Sequence, residues 1–300
     1  MSITKKLHGV IPAIATPLKK TGDLDILAYC KLIRRIIDAG CNGIMILGTA
    51  GEGIVLDHKN YALAIETAVK EVNNMCPIIV GTGGSPVKSV YKNIEVSYRL
   101  GADAILNVPP FYYPLPQCAI EDFYIQLANK SKLPVMIYNI PALTKNRASV
   151  ETVTKLSKEE NIIGIKDSSG DFVYFQEILA KAQSGKFKVF QGRAPFVLAS
   201  ILSGADGSMC PIPNVAPELE LEIHKYVKEG NIKQAQKNQN KIIEIVKLFG
   251  YVSNPISMNL KGLMSGLNIC ERYTAESIPT LSEEKIKEFT DTYNKIINTY

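Results

Sequence analysis

The sequence is poor in the residues that bind metals or form disulfides. It has no tryptophan, three histidines and six cysteines, and no two cysteines form a C-x-x-C pair. Zinc and iron–sulfur sites need several Cys or His residues at short, regular spacing, and secreted disulfide frameworks need a dense set of cysteines. We therefore expect no metal site, and reduced, mostly buried thiols as in a cytoplasmic protein.

Long apolar segments and strongly basic segments are also missing. No stretch approaches the roughly 20 apolar residues of a membrane span. Pro12 and Pro17 interrupt the first apolar run, which lacks the cleavage pattern of a secretory signal. The net charge is +5, but the lysines are scattered and form no stripe that fits nucleic acid. These absences predict a cytoplasmic protein that binds small molecules rather than membranes or nucleic acids.

What the chain does contain is an alternation of two hydrophobic patterns. Hydrophobic residues make up 46% of its 300 residues, enough for a large core. Short continuous apolar runs are typical of strands buried on both faces, and amphipathic stretches between them are typical of helices. The eight runs are 10–15, 43–47, 77–80, 104–108, 134–138, 162–165, 188–190 and 208–212, and the helical stretches between them include 26–39, 58–72, 87–100, 120–128, 150–156, 172–182 and 194–202.

Glycine marks three of the predicted junctions between a helix and the next strand. Gly40, Gly101 and Gly204 each follow a helical stretch and precede an apolar run. Glycine accepts the left-handed conformation that ends a helix. Eight strand–helix units in succession favour a closed parallel barrel over an open sheet. We therefore predict a (β/α)8 TIM barrel.

The pattern changes near the carboxyl end, where only helical stretches follow Pro217. They cover 218–228, 232–249, 256–267 and 283–299, with a break around Asn254 and Pro255. These helices are more than the eighth unit of a barrel requires. We predict a catalytic barrel at 1–225 and a C-terminal helical extension at 226–300 that packs on it.

Lys166 is the first candidate for chemistry. It closes the apolar run 162–165, and active sites of parallel barrels lie at the carboxyl ends of the strands. Apolar walls disfavour the charged ammonium, and the uncharged amine is the form that attacks a ketone to give a Schiff base. Two other interpretations stay open from spacing alone: an ion pair with Asp167 or Asp171, or a side chain that extends to the surface.

Two more features follow strand ends. Tyr138 closes the strand before Lys166, so its phenol is placed either to transfer protons or only to pack at the barrel rim. The glycine-rich loop GTAGEG at 48–53 has backbone amides suited to a bound anion. A second glycine-rich loop, at 81–84, leaves open a barrel that binds flavin or nucleotide phosphate.

Five motifs, taken together, resemble a known family. GTAGE (48–52), PPFYYP (109–114), YNIPAL (138–143), GIKDSSGD (164–171) and NVAPE (214–218) resemble the dihydrodipicolinate synthase and N-acetylneuraminate lyase family of class I aldolases. The resemblance runs from about residue 8 to the last helices. It implies a (β/α)8 barrel with a helical extension, a homotetramer built from two tight dimers, and no metal or organic cofactor. It also implies formation of a pyruvate imine followed by aldol addition or cleavage, so the expected partners are pyruvate and an aldehyde.

The same resemblance implies roles for individual residues. Lys166 resembles the imine-forming lysine, Tyr138 the proton-transferring tyrosine, and Thr49 the hydroxyl that links this phenol to a second tyrosine from the neighbouring subunit. Tyr112 fits that second tyrosine, with Tyr113 as the alternative. The implied substrate contacts are the amides of Ala50 and Gly51 for the pyruvate carboxylate and Met209 for the pyruvyl methyl group. Ser168, Gly192 and Arg193 at the barrel mouth complete the substrate-binding residues that we predict.

Departures from the family pattern bear on the substrate. Dihydrodipicolinate synthases usually carry an arginine where this chain has Leu143, and loss of that guanidinium removes strong hydrogen bonds to a substrate carboxylate. Sialic acid lyases carry an Asp-Glu pair where this chain has Ala194 and Pro195. We therefore predict a lyase or aldolase for a 2-keto-3-deoxy sugar acid. Arg193 fits a distal carboxylate or phosphate of such a substrate, or else a surface ion pair.

Besides the flavin or nucleotide-phosphate barrel, three alternatives stay open at this point. A dihydrodipicolinate synthase that works without the arginine would use the same lysine, and so would a dehydratase that acts through the same imine. The third is a regulatory relative that binds a keto acid without turnover. The presence of Lys166, Tyr138, Thr49 and Tyr112 argues against that third alternative.

Overall fold

Eight parallel strands form the centre of the protein, whose computed structural model describes residues 3–250 and 255–299. The strands are β1 (Gly9–Val10), β2 (Ile44–Ile46), β3 (Ile78–Gly81), β4 (Ala104–Asn107), β5 (Val135–Asn139), β6 (Ile162–Asp167), β7 (Lys188–Gln191) and β8 (Gly207–Ser208). They pair in the order β1, β8, β7, β6, β5, β4, β3, β2. A parallel bridge between Ala13 and Met45 then joins the chain after β1 to β2. The predicted (β/α)8 barrel is confirmed.

Helices lie between the strands and continue beyond the barrel. They are α1 (Ile3–Lys6), α2 (Ile26–Asp38), α3 (His58–Val72), α4 (Val87–Arg99), α5 (Gln117–Lys130), α6 (Pro141–Thr144), α7 (Val150–Leu156), α8 (Phe172–Ala182), α9 (Val197–Leu202), α10 (Pro217–Lys228), α11 (Ile232–Phe249), α12 (Ile256–Gly266) and α13 (Glu283–Asn298). In the C-terminal part, α11 packs on α10, and α13 contacts both α11 and α12. Within the described ranges, every helix is too short or too polar to span a membrane.

Short-range chemistry explains where several helices begin. The Asp57 carboxylate accepts the backbone N–H of Asn60 at 2.8 Å at the start of α3. Asp171 does the same for Tyr174 at 3.0 Å at the start of α8. A cap of this kind typically stabilises a helix by about 1 kcal/mol.

The three glycine junctions predicted from the sequence are confirmed. The φ angle is +94° at Gly40, +91° at Gly101 and +94° at Gly204. Glycine adopts this left-handed region without the steric cost that a Cβ atom brings. Each glycine therefore lets the chain leave a helix and turn back toward the sheet.

Alternation along the strands separates two apolar layers. On β5, Val135 and Ile137 pack with the surrounding helices, whereas Met136 and Tyr138 belong to the core inside the barrel. A register shift near Val135 then sets Tyr138 opposite Lys166 on β6. Both side chains therefore lie at the carboxyl end of the barrel, side by side.

The first strand is shorter than predicted. The run 10–15 predicts a strand, but regular pairing covers only Gly9–Val10. Pro12 lacks the N–H that a regular ladder needs. Ile11 and Ala13 on either side of it still donate hydrogen bonds to the β8 segment at 2.9 Å. The chain keeps its place in the barrel although its strand is interrupted.

Other differences from the predicted elements lie at helix ends. The stretch 194–202 is a 3-10 turn over Ala194–Phe196 followed by α9, with Pro195 in the turn. Nothing in the sequence pattern indicates α1 and α6, which are about one turn long. The division into 1–225 and 226–300 stays a prediction, and its boundary falls within α10. Asn254, at the predicted helix break, lies outside the described residues.

Candidate active site

A cavity of about 480 Å³ opens at the carboxyl ends of the barrel strands. This is the end at which parallel barrels carry their active sites. The cavity is lined by the ends of β5 and β6, by the loops after β2 and β7, and by the start of α12. The predicted site residues that line it are Lys166, Tyr138, Thr49, Ala50, Ser168, Gly192 and Arg193.

Lys166 and Tyr138 form the centre of the site. They pair in register on β6 and β5, and they expose only 3% and 6% of their surfaces. The Lys166 Nζ lies 4.2 Å from the centre of the Tyr138 ring, within the range of a cation–π contact. Thr49 adds a hydroxyl, and its Oγ1 is 3.2 Å from the Tyr138 phenol oxygen. Strand order alone predicts that Lys166 and Tyr138 are neighbours, and the structure places them so.

Neither neighbouring aspartate pairs with Lys166. Asp171 forms an ion pair with Arg147 at 2.9 Å. Asp167 instead accepts a hydrogen bond from the Asn139 side chain at 2.7 Å. Burial raises the pKa of Asp167 to about 6, although its hydrogen bonds act in the opposite direction. The ion pair that the spacing leaves open is therefore not formed, and Lys166 lies buried in the cavity wall rather than at the surface.

The loop at 48–53 is wound so tightly that other segments must hold it. Leu47 and Glu52 have φ angles of +57° and +60°, a conformation that costs a non-glycine residue about 1–3 kcal/mol. A Cβ atom added to Gly51 would lie 2.8 Å from the Leu47 nitrogen, so only glycine fits there. The Gly51 carbonyl accepts a hydrogen bond from the Thr16 hydroxyl at 2.7 Å. This bond attaches the loop to the segment after β1.

Glu52 attaches the same loop to the C-terminal extension. Its Oε1 lies 2.9 Å from the Lys261 Nζ on α12, and neither side chain is exposed to solvent. Its Oε2 accepts the backbone N–H of Ala275 at 2.7 Å. Burial lowers the pKa of Lys261, and the Glu52 carboxylate opposes that shift. The ion pair lies directly behind the part of the cavity wall that Glu52 helps to form.

Gly192 keeps space open beside Lys166. A Cβ atom at this position would lie 3.1 Å from the Lys166 Cε and would overlap the Ser168 hydroxyl oxygen. The guanidinium of Arg193 packs over Gly170, where an added Cβ atom would lie 3.8 Å from its Nε. The β7 end therefore supplies an opening next to the amine and a cation at the cavity wall.

Three predicted contact residues do not line this cavity. Met209 is fully buried in the core inside the barrel, and Gly51 contacts the segment after β1. Tyr112 is 79% exposed, and its ring lies edge-on to Tyr113 at a centroid distance of 5.0 Å. Exposed aromatic pairs are typical of protein interfaces. The contribution of Tyr112 to a neighbouring subunit's site stays a prediction.

Apolar side chains form much of the remaining wall. Ile54, Val55, Ile140 and Leu143 all line the cavity. Leu143 lies on α6, at the position where the family resemblance implies an arginine in the synthases. The cavity therefore has an aliphatic side chain at the place where a guanidinium would bind a second carboxylate.

The sequence pattern gives the C-terminal extension no part in the site, but the structure does. Ile256 and Ser257, at the start of α12, line the cavity together with Ile278. The signal for this role comes from burial in the structure rather than from the sequence. Lys261 lies in the run 257–264, which is buried throughout, and a charge in such a run needs a partner of opposite sign.

This arrangement is suited to carbonyl chemistry. A buried amine next to a phenol provides a nucleophile and a group that transfers protons. The Thr49 hydroxyl extends the hydrogen-bonded path away from the amine. Within the described ranges, His, Cys, Asp and Glu side chains form no cluster of three or more that could hold a metal ion.

Comparisons with known proteins agree with this geometry. A model of the dihydrodipicolinate synthetase family matches residues 6–296. The chain is 30% identical over 284 residues to the probable 2-dehydro-3-deoxy-D-pentonate aldolase YjhH of Escherichia coli K12, covering 93% of this chain and 94% of that protein. It is 32% identical over 298 residues to the 4-hydroxy-tetrahydrodipicolinate synthase of Hydrogenobaculum sp. Y04AAS1, covering 97% of this chain and all of that protein (100%).

A solved structure shows the same fold. YagE, a prophage protein of Escherichia coli K12 that belongs to the dihydrodipicolinic acid synthase family, was crystallised in complex with pyruvate. Its TM-score with this chain is 0.91 at 24% identity, covering 97% of this chain and 98% of YagE. The matched family consists of lyases and aldolases. With a family model over nearly its whole length, this chain belongs to the dihydrodipicolinate synthetase family.

Proposed function

We propose that the protein is a class I aldolase that holds pyruvate as a Schiff base on Lys166. The position of the Lys166 amine carries this proposal. It is buried in the cavity wall, 4.2 Å from the Tyr138 ring centre, and the two nearest acidic residues in sequence are engaged elsewhere. Family membership supports the same chemistry, as does the pyruvate complex of YagE.

The cleavage reaction begins with formation of an imine. The Lys166 Nζ attacks the C2 ketone of a 2-keto acid and forms a carbinolamine. The Tyr138 phenol donates a proton to the departing hydroxyl, which leaves as water, and the product is a protonated imine. The Tyr138 phenolate then takes the proton of the C4 hydroxyl, the C3–C4 bond breaks, and C4 departs as an aldehyde. The electron pair of the broken bond forms the C2=C3 double bond of an enamine, and the π pair of the C=N bond moves to the nitrogen.

The cycle ends with release of pyruvate. The enamine left on Lys166 takes a proton at C3, and water hydrolyses the imine to give pyruvate and the free amine. In this proposal the amide of Ala50, in the cavity wall, binds the pyruvate carboxylate. The contacts implied for the Gly51 amide and for Met209 stay predictions, because neither residue lines the cavity. Thr49 passes protons between Tyr138 and Tyr112 of a neighbouring subunit in a homotetramer.

As the substrate class we propose 2-keto-3-deoxy sugar acids. The relative YjhH is named as a probable aldolase for such an acid. Leu143 in the cavity wall is consistent with a substrate that carries no carboxylate at that place. Arg193, in the cavity wall after β7, suits an anionic group at the distal end of the substrate. Because relatives named 4-hydroxy-tetrahydrodipicolinate synthase match at similar identity, that synthase reaction is the second candidate.

Borohydride trapping tests the Schiff base. Pyruvate and sodium borohydride should convert the imine into a stable secondary amine, located on Lys166 by peptide mass spectrometry. The Lys166→Arg variant, which keeps the positive charge, should give no adduct. An unmodified Lys166 in the folded wild-type protein, or an adduct on a different lysine, would overturn the proposed mechanism.

A substrate screen tests the proposed class. Pyruvate is combined with glyceraldehyde, glycolaldehyde, N-acetylmannosamine or aspartate semialdehyde, and 2-keto-3-deoxy pentonate is assayed for pyruvate release. We expect the sugar-derived substrates to have the highest kcat/KM. Fastest turnover with aspartate semialdehyde would favour the synthase instead. The screen is repeated with Arg193→Ala, and glyceraldehyde 3-phosphate is added as a sugar-derived aldehyde with a distal anion. The variant should slow this acidic substrate more than neutral glyceraldehyde, and an equal effect on both would contradict the role given to Arg193.

A further inference from the structure

The Glu52–Lys261 ion pair has no step in the proposed reaction, yet it joins the site to the C-terminal extension. Glu52 belongs to the 48–53 loop, and Lys261 lies near the middle of α12. Their charged atoms are 2.9 Å apart, and both side chains are fully buried. The second Glu52 oxygen accepts the Ala275 N–H at 2.7 Å. One carboxylate therefore holds two separate segments of the extension against one loop.

Stability alone is a weak explanation for such a pair. Removing two charges from water costs much of what their attraction returns, and apolar residues often replace a buried ion pair without loss of stability. An ion pair does impose one geometry, because both charges must meet. At Glu52 the geometry matters, since the backbone there is left-handed, with a φ of +60°. The contacts of Glu52 hold the loop in this conformation.

The same loop carries groups that face the cavity. The Thr49 hydroxyl lies three residues before Glu52 and meets the Tyr138 phenol at 3.2 Å, and Ala50 lies between them in the cavity wall. The start of α12 lines the same cavity through Ile256 and Ser257. A displacement of α12 would therefore change both the wall and the loop that carries Thr49.

We propose that Glu52 and Lys261 are positioning residues, which fix the 48–53 loop so that Thr49 reaches Tyr138 and the Ala50 amide faces the bound acid. The inference rests on the proposed function for its reference to pyruvate. In this view the C-terminal extension is part of the catalytic unit, because α12 supplies the cation that holds the loop in place.

Three variants separate positioning from stability: Lys261→Met, Glu52→Gln, and the two combined. Lys261→Met leaves the Glu52 carboxylate buried without its cation, so it should lower the melting temperature strongly. The double variant has no buried charge left at this place and should regain most of that melting temperature. Because its loop is no longer fixed, its KM for pyruvate should stay about 10-fold or more above wild type. Its kcat should fall as well, because Thr49 is then no longer held at the Tyr138 phenol.

Lys188→Met provides the matched control. Lys188 also forms a largely buried ion pair, with Asp206 at 2.8 Å, but at the amino end of β7, away from the cavity. Its loss should affect stability and leave the KM for pyruvate unchanged. Hydrogen exchange of a peptide covering 47–56 gives a readout without turnover. That peptide should exchange faster in the double variant than in wild type or Lys188→Met.

The two readouts keep this inference distinct from the proposed function. If wild-type Lys166 is not trapped by borohydride, the proposed function fails, but hydrogen exchange still decides whether the ion pair holds the loop. A stable double variant with wild-type KM and wild-type exchange at 47–56 would overturn the positioning role. So would an equal rise in KM in Lys188→Met, because the effect would then follow from general destabilisation.

Discussion

Two lysines are buried near the carboxyl end of the barrel, and they differ in what faces them. Lys166 lies over the Tyr138 ring, and Lys261 meets the Glu52 carboxylate. Both are almost inaccessible to solvent. A partner carboxylate satisfies the charge of the second amine, whereas the first has the cavity on one side and a phenol on the other. Burial alone therefore does not distinguish a catalytic lysine from a structural one; the partner does.

Replacing each lysine by methionine should separate these roles, and Lys166→Met should have the larger effect on kcat. Loss of the amine that we propose as the imine-forming group should reduce kcat by about 10⁴-fold or more. The free energy of unfolding should stay the same or rise by about 1 kcal/mol, because an apolar side chain replaces a buried amine without a carboxylate partner. Initial rates and chemical denaturation check both parts. Substantial residual turnover would show that another group forms the bond to pyruvate.

Lys261→Met should instead reduce stability strongly and turnover much less. It leaves Glu52 buried without its cation, which typically costs about 3–5 kcal/mol of stability. Chemical denaturation in urea measures this loss, with Lys188→Met as a more exposed reference. Turnover should persist in the folded fraction, since Lys166 is intact. If Lys261→Met were as stable as wild type, the two lysines would not differ in the way described above.

Tyr138→Phe examines the partner of Lys166 rather than the lysine itself. The ring that packs against the amine stays, but the hydroxyl that meets Thr49 is lost. General acid–base groups typically contribute about 10²- to 10⁴-fold, so we expect kcat to fall by about 10²- to 10³-fold. The borohydride adduct should still form, but more slowly. A kcat within a few-fold of wild type would show that the phenol only packs.

The two lysines also show which contacts can be predicted from the sequence and which cannot. Continuous apolar runs and glycine junctions predict the barrel, since they report local backbone preferences and burial on two faces. Strand order then predicts that Lys166 and Tyr138 are neighbours. The partner of Lys261 is Glu52, which lies more than 200 residues away in the sequence. Ala275, which also contacts Glu52, is separated from it by 223 residues. No local pattern encodes that contact, because it depends on how the extension packs across the barrel mouth.

Local sequence patterns also fail to predict structural features that depend on the presence or absence of one atom. Pro12 interrupts the first strand only because one N–H is absent, although the apolar run continues on both sides. Gly192 looks like an ordinary turn residue, yet a Cβ atom there would contact Lys166 and Ser168. The family motifs indicate these positions, but only the packed barrel explains them.

Two buried carboxylates, Glu52 and Glu220, can be compared in the same way as the two lysines. The effect expected here, on the pH dependence of stability, is the smallest of those predicted. Glu52 faces a lysine, whereas Glu220 accepts a hydrogen bond from the Ser208 hydroxyl at 2.6 Å and its Oε1 has no partner in the described part of the chain. Burial raises the pKa of Glu220 to about 7 from an ordinary 4.5. The folded state thus binds this proton more tightly than the unfolded state does. The free energy of unfolding should therefore fall as the pH rises from about 4.5 to 7, by about 3 kcal/mol in total from this group.

Glu220→Gln isolates that contribution. The variant cannot ionise, so its stability should match wild type near pH 4.5 and exceed it by about 2–3 kcal/mol at pH 8. Chemical denaturation of both proteins at several pH values measures the difference. Asp167 and His224 have shifted pKa values of their own, but they titrate in both proteins and cancel from the comparison. If the two proteins lost stability in parallel as the pH rises, Glu220 would keep its charge despite its burial. The presence of a cation partner would then not explain a difference between Glu52 and Glu220.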